Sequence, residues 1–225
     1  MGLSMGRPYV IVFTTATIDG KIASKTRFSQ LSCPEDLKRL HAARKEAGAV
    51  MIGVNTANID DPSLRLKYFE GENPVRIVVD GRLSIREDLR LVRERIARTI
   101  ILTSERADSE KIERLRSLGV EVYVIESENP PQINMKRALE KLYELGVRKV
   151  LVEGGGELIW SLVREDLVDE FRVTYTGYVF GGREAVSIVG GEGFSTTKES
   201  PEYRVERVLI CPCGREVHIV FRRVR

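Results

Sequence analysis

Cysteine is scarce in this sequence: Cys33, Cys211 and Cys213 are the only three among 225 residues. An odd and low count argues against a disulfide framework and suits a reducing compartment. The Cys-Pro-Cys run has no second cysteine pair and no metal-spaced histidine near it in sequence, since the two histidines are His41 and His218. No metal is expected on that basis. Long apolar runs are also missing. Nothing approaches the roughly 20 residues that a membrane span requires, and the opening "MGLSMGRPYV" lacks the apolar centre of a secretory signal. A cytoplasmic protein with no membrane partner is expected. Nor does one charge dominate: 36 Lys and Arg stand against 33 Asp and Glu, a net charge of +3. A nucleic-acid binder should instead carry a strong basic excess on one face.

Charge of both signs, by contrast, is abundant. Charged residues make up 31% of the chain, above the typical value of about 25%. They alternate in stretches such as "IREDLRLVRERIAR" (Ile85 to Arg98), which reads as a solvated helix face laced with ion pairs. A thermophilic source would suit such a surface. Hydrophobic content of 42% supports a substantial core, and a single domain over residues 1–225 is expected.

Strand and helix patterns alternate along the chain. "PYVIVFTTATIDGKIA" opens as a buried strand ending in an Asp-Gly turn. Ser32 to Gly48 reads as a helix, with Pro34, Glu35 and Asp36 at its start and Gly48 past its end. Short apolar strands follow at Ala49–Val54, Asn73–Gly81, Arg98–Thr103, Val120–Ile125 and Arg148–Glu153, with helical segments at Asp108–Gly119 and Asn134–Gly146. This alternation predicts an α/β fold with a largely parallel sheet. The last third reads differently: Glu170–Phe180, Glu202–Gly214 and Arg215–Val224 are longer strands, the last two forming an antiparallel hairpin about Gly214. The expected architecture is a mixed sheet, parallel at its centre and antiparallel at its C-terminal end, with helices on both faces.

Three clusters carry the candidate chemistry. In "KVLVEGGGELIW", Gly154, Gly155 and Gly156 sit between a strand and a helix. Three glycines are costly to order. They suit either close approach of a phosphate to a helix N-terminus or a tight turn with close helix packing. The second cluster, "GVNTANIDDPSLRLK", offers Thr56, Asp60, Asp61, Arg65 and Lys67 just after a strand. Ligands of α/β sheets bind beyond the carboxyl ends of parallel strands. The strand ends at Gly53, Asp80, Thr103 and Glu153 are therefore expected on one rim, with Asp80, Gly81 and Arg82 and the Thr103–Arg106 turn lining it. Arg82 would suit a 2′-phosphate and so favours NADPH over NADH. In the third cluster, "TIDGKIA", Lys21 is either simply exposed or enters the cleft.

Taken in order, "TIDGKIA", "SCPEDLKRLHAARKEAGAVMIGVNTANIDDPSLRL", "NPVRIVVDG", "LVEGGGELIW", "LVDEF" and "VFGGREAVSIVGGEGF" resemble the riboflavin-biosynthesis reductases over nearly the whole chain. The resemblance is greatest to the stand-alone archaeal type, which acts before deamination on 2,5-diamino-6-ribosylamino-4(3H)-pyrimidinone 5′-phosphate. The zinc-deaminase signature of the bifunctional bacterial relatives is absent from this sequence. The resemblance implies a dihydrofolate-reductase-like fold, a homodimer, and NADPH-dependent (NADH possible) reduction of the ribose of a phosphorylated pyrimidine riboside to a ribityl chain. It implies cofactor contacts at Thr56 and Asp60, at Val79, Asp80, Gly81 and Arg82, and at Gly154, Gly155, Gly156 and Glu157. Substrate contacts are implied at Ser29, Arg44, Leu64 and Glu153, with Lys67, or else Arg65, near the substrate phosphate. Glu153 and Lys21 are the candidate catalytic assistants, the first supporting an iminium and the second binding ribose hydroxyls. No metal is implied. The chain departs from the family pattern at Phe13, Asn55 and Glu157; an acidic side chain at Glu157 would crowd a diphosphate unless it pointed away. A 5-amino-6-(5-phosphoribosylamino)uracil reductase, a dihydrofolate reductase and a non-catalytic nucleotide-binding protein are the alternatives.

Overall fold

The computed structural model describes residues 6–224. Met1–Met5, part of the opening read above for a secretory signal, lie outside the described residues. In chain order the elements begin with β1 (Tyr9–Thr17), β2 (Lys21–Ala23), α1 (Pro34–Ala47), β3 (Ala49–Gly53), α2 (Val54–Asp60) and β4 (Val75–Val79). There follow α3 (Arg90–Arg93), β5 (Thr99–Thr103), α4 (Ser109–Ser117), β6 (Glu121–Val124), α5 (Met135–Glu144) and β7 (Lys149–Val152). The last are α6 (Gly156–Val163), β8 (Glu170–Thr176), β9 (Val186–Ser187), β10 (Tyr203–Ile210) and β11 (Glu216–Arg223). The described residues form two compact units, one of residues 6–9 with Arg44–Leu151 and one of Val10–Ala43 with residues 152–224.

In the first unit the strand order is β7-β3-β4-β5-β6. The pairs β3/β4, β4/β5 and β5/β6 are parallel. Strands covered on both faces read as continuous apolar runs, and Val50, Met51, Ile52, Ile77, Val78, Ile100, Ile101 and Leu102 are at most 1% exposed. Helix α5 buries Met135, Ala138, Leu139 and Leu142, one stripe at helical spacing. Its start is capped by Asn134, whose carboxamide oxygen accepts from the Arg137 amide at 3.0 Å. Asp108 does the same for α4, accepting from Glu110 at 2.9 Å. Each such cap contributes about 1 kcal/mol.

Ile85–Arg98 corrects the expectation of a charged helix. Only Arg90–Arg93 is helical. Ile85, Leu89, Leu91 and Val92 are buried, so apolar anchoring at irregular spacing overrides helix propensity. The ion pairs are present nonetheless: Arg86 with Asp88 at 2.6 Å and Arg98 with Glu121 at 2.6 Å.

In the second unit the order is β10-β11-β8-β1. β1 and β8 are parallel, whereas β11 is antiparallel to both β8 and β10. The C-terminal hairpin about Gly214 is as expected, with Gly214 at φ +71° in its turn. Together the two units contain the mixed α/β arrangement, parallel strands with a C-terminal antiparallel pair. β8 stops at Thr176 rather than running to Phe180. The reason is Asp19, whose carboxylate accepts from the Phe180 amide at 3.1 Å and the Gly181 amide at 2.7 Å, drawing the chain out of extended pairing. The short ribbon of β2 and β9, paired antiparallel, carries too few residues to show a period of two in the sequence.

Beneath α1 lies a buried polar network. Asp36 is wholly buried and accepts from Thr15 at 2.6 Å and Thr174 at 2.7 Å. The Thr174 hydroxyl, donating to Asp36, in turn accepts from His218 Nδ1 at 2.6 Å. Desolvation holds the His218 pKa below its usual value, so the imidazole is the neutral Nδ1–H tautomer at neutral pH.

Candidate functional site

In the first unit the register aligns Gly53 with Val79 and Val79 with Leu102. The carboxyl ends of β3, β4 and β5 are therefore level, as the sequence predicts for a ligand-bearing rim. The chain leaves β3 directly into α2, so Thr56 and Asp60, four residues apart, share one side of that helix. Thr56 is half-buried and Asp60 exposed. The protein packed about the Asp60 carboxyl nevertheless raises its pKa by desolvation, and no cation offsets the rise. Asn58 ties α2 to the loop after β4, donating to the Ser84 carbonyl at 3.3 Å and accepting from the Arg86 amide at 3.0 Å.

That loop holds Val79, Asp80, Gly81 and Arg82. Val79 is the half-buried last residue of β4. Asp80 is 1% exposed, and its carboxylate is engaged by the Ile85 amide at 2.7 Å and the Ser84 hydroxyl at 3.2 Å. It shapes the loop with both oxygens. A Cβ at Gly81 would lie 1.7 Å from the Pro131 carbonyl oxygen, so this glycine answers to a backbone crossing. Arg82 is exposed. Leu64 is 2% exposed at φ +53°, a left-handed conformation that costs a leucine roughly 1–2 kcal/mol. Arg44 is 8% exposed and donates to the Arg65 carbonyl at 2.9 Å, so it braces the segment it was expected to accompany. The side chains of Arg65 and Lys67 are exposed.

In the second unit the three glycines have different reasons. Gly154 has φ +113°, which disfavours any other residue, and a Cβ there would meet nothing within 4 Å. The Gly154–Gly155 peptide is cis. Gly155 is the N-cap of α6 and supplies no side-chain cap. Gly156 fits the packing alternative: its Cβ would lie 2.8 Å from the Ser187 carbonyl oxygen and 3.1 Å from the Gly190 nitrogen. Glu157 points away, its carboxylate accepting from the Gly191 amide at 3.1 Å. The expected crowding of an anion at this turn is thereby relieved. Glu153 is half-buried immediately before the turn.

Lys21 is half-buried, contrary to simple exposure. It lies opposite Ser187 in the β2–β9 ribbon and donates from Nζ to the Ser187 hydroxyl at 3.0 Å. Ser187 thus joins Lys21 to Gly156 of α6; it and Asn58 lie within segments that carry the resemblance, but neither is singled out there. A serine in a two-residue strand leaves no pattern to find. Ser29 stays on an exposed loop, its carbonyl accepting from the Leu31 amide at 2.9 Å. The α6 turn offers part of what an anion needs: a helix N-terminus that no side chain caps.

The sequence profile described as the RibD C-terminal domain matches residues 8–219. A protein of Aquifex aeolicus named 2,5-diamino-6-ribosylamino-4(3H)-pyrimidinone 5′-phosphate reductase is 36% identical over 199 residues, 86% of this chain and 88% of its own. A protein of the same name from Methanothermobacter thermautotrophicus is 37% identical over 204 residues, 89% of this chain and 92% of its own. The crystal structure of a Thermotoga maritima diaminohydroxyphosphoribosylaminopyrimidine deaminase/5-amino-6-(5-phosphoribosylamino)uracil reductase superposes with a TM-score of 0.79 at 26% identity. That match covers 97% of this chain, which spans 57% of the length of the Thermotoga protein. The fold is accordingly the dihydrofolate-reductase-like fold that the resemblance implies. The chain belongs to the RibD C-terminal domain family, and with it to the reductases of riboflavin biosynthesis.

Proposed function

We propose that this protein reduces 2,5-diamino-6-ribosylamino-4(3H)-pyrimidinone 5′-phosphate to its ribitylamino product, with NADPH as the preferred hydride donor, and acts as a homodimer. The observation that carries this reading is the likeness to relatives bearing that activity's name along nearly the full length of both chains. The substrate is an N-glycosylamine. Its exocyclic nitrogen expels O4′ to give an iminium at C1′, O4′ takes up a proton, and a hydride reaches C1′. One hydride and one proton are gained in all. When bound, the reduced nicotinamide supplies the hydride.

The residues fit such a cofactor. The start of α6, which no side chain caps, suits the diphosphate, with the Lys21 amine held on the Ser187 hydroxyl as a further candidate contact. Arg82, exposed on the loop after β4, suits a 2′-phosphate. Cofactor roles are assigned also to Thr56, Asp60, Val79, Asp80 and Gly81, the last two as shapers of the backbone. Arg44 orders the Arg65 backbone, which sets Arg65 and Lys67 out as candidates for the 5′-phosphate. Leu64, Ser29 and Glu153 take substrate roles, with Glu153 supporting the iminium.

The test is NADPH oxidation with the diaminopyrimidinone ribotide, followed by mass measurement of the product. A gain of two hydrogens is expected. Oxidation only with the deaminated ribotide would transfer the assignment to the uracil-type reductase named for the Thermotoga relative. Inhibition by methotrexate, or turnover of neither substrate, would overturn the reading altogether. The variant Arg82→Ala is expected to raise KM for NADPH about tenfold or more while leaving KM for NADH nearly unchanged, as loss of a charge-assisted phosphate contact requires.

A further inference from the structure

All three cysteines of the chain meet at one place in the second unit. Cys33 precedes α1, while Cys211 and Cys213 occupy the turn between β10 and β11. One ligand atom each of Cys33, Cys211, Cys213 and Glu216 lie within 4.8 Å of one another. The sequence hides this, since Cys33 is 178 residues from Cys211. We propose that these four residues form a structural zinc site that staples the β10–β11 turn to the start of α1.

Geometry and chemistry both favour a cation over a sulfur–sulfur bond. Tetrahedral zinc at about 2.3 Å from each sulfur puts neighbouring sulfurs about 3.8 Å apart. Cys33 Sγ and Cys211 Sγ are 3.6 Å apart, close to that edge and far from the roughly 2.05 Å of a disulfide. The fourth donor is independent of the sulfurs. Glu216 is 7% exposed; its Oε1 accepts from the Cys33 amide at 2.7 Å, but its Oε2 is buried without a hydrogen-bond partner. A buried carboxylate oxygen without a partner is costly, and a ligated cation satisfies it. The turn already holds its shape: the Gly214 amide donates to the Cys211 carbonyl at 2.9 Å, and the Cys211 amide to the Glu216 carbonyl at 2.8 Å. Arg39 donates to Cys211 Sγ at 3.3 Å. Its charge, with the N-terminus of α1, offsets part of the negative charge that three thiolates and a carboxylate retain around Zn²⁺.

The test uses the full chain expressed with zinc in the medium and purified under reducing conditions. Elemental analysis should find about one zinc per chain. Replacement by Co²⁺ should give the ligand-field bands and thiolate charge-transfer absorption of a tetrahedral sulfur-rich site. Chelation should lower Tm by about 5 °C or more, and added Zn²⁺ should restore it. Cys213→Ser, at a half-buried turn position, and Cys211→Ser should each bind less than about a tenth of the wild-type zinc under the same conditions. Trace metal only, an octahedral cobalt spectrum, zinc retained by both variants, or a Cys33–Cys211 disulfide in the purified protein would overturn the assignment. Each readout is independent of the reductase activity.

Discussion

Gly81, Gly154 and Gly156 are alike in sequence and unlike in cause, and their alanine variants should separate accordingly. Gly81→Ala places a methyl 1.7 Å from the Pro131 carbonyl oxygen. Backbone must move to admit it, a cost on the order of 3 kcal/mol. Gly154→Ala meets no atom within 4 Å but keeps φ +113°, so the cost is conformational, about 1–2 kcal/mol. Gly156→Ala pushes on the Ser187 carbonyl oxygen from 2.8 Å, and the displaced ribbon carries Lys21 with it. Denaturant unfolding should rank Gly81→Ala as less stable than Gly154→Ala. Gly156→Ala should lose about tenfold or more in kcat/KM through misplacement.

Asp19 provides a pH-dependent counterpart at the same scale. The Thr17 hydroxyl, donating at 2.6 Å, and the Gly181 and Phe180 amides lower its pKa from 3.8 to about 2. A carboxyl group whose folded pKa is depressed contributes stability above its unfolded pKa and loses it as pH falls through the folded value. The stability gap between wild type and Asp19→Asn is therefore expected to be full at pH 6 and to close between about pH 4 and pH 2. Thermal melts across that range check it; a gap that does not change with pH would leave the carboxylate charge without a role.

Among the elements, β10 is the one whose surroundings are least complete. It lies at the end of its unit's strand order and is exposed along almost its whole length, including Val208 at 56% and Ile210 at 74%. Exposed apolar edges invite pairing with another chain. The proposed homodimer is thus expected to use this hairpin, and Val208→Lys with Ile210→Lys should weaken self-association by about tenfold or more. Sedimentation equilibrium measures it; an unaltered dimer would move the interface elsewhere. The elements themselves were largely legible. Long apolar runs such as Val75–Val79 and Thr99–Thr103 announce themselves, as does the 3.6-residue stripe of α5. α2 was not legible as a helix, because "VNTANID" has a single buried residue, Ala57, and therefore no stripe. The charges about Arg90 imitate a longer helix that the buried Leu89 and Leu91 do not allow.

Across the whole molecule, what local pattern could indicate was visible and what sequence-distant packing decides was not. The strand ends of the first unit and the start of α6 could be anticipated, since apolar strand runs end there at or near glycine or acidic residues. The contacts of Ser187, Asn58 and Pro131 could not, because each is made with a partner tens to over a hundred residues away. The meeting of the three cysteines is hidden for the same reason: spacing is read along the chain, whereas β11 and the start of α1 meet across it.

The β2–β9 ribbon is held by very few pairings, yet it fixes the amine of Lys21 on the Ser187 hydroxyl and sets the Ser187 carbonyl against Gly156 at the start of α6. Its amide protons should exchange with solvent much sooner than those of β1 and β8, whose register runs over seven paired positions. The ribbon behaves as a clasp: it can let go and refasten while the main sheet stays intact, and occupancy of the neighbouring turn would slow that breathing.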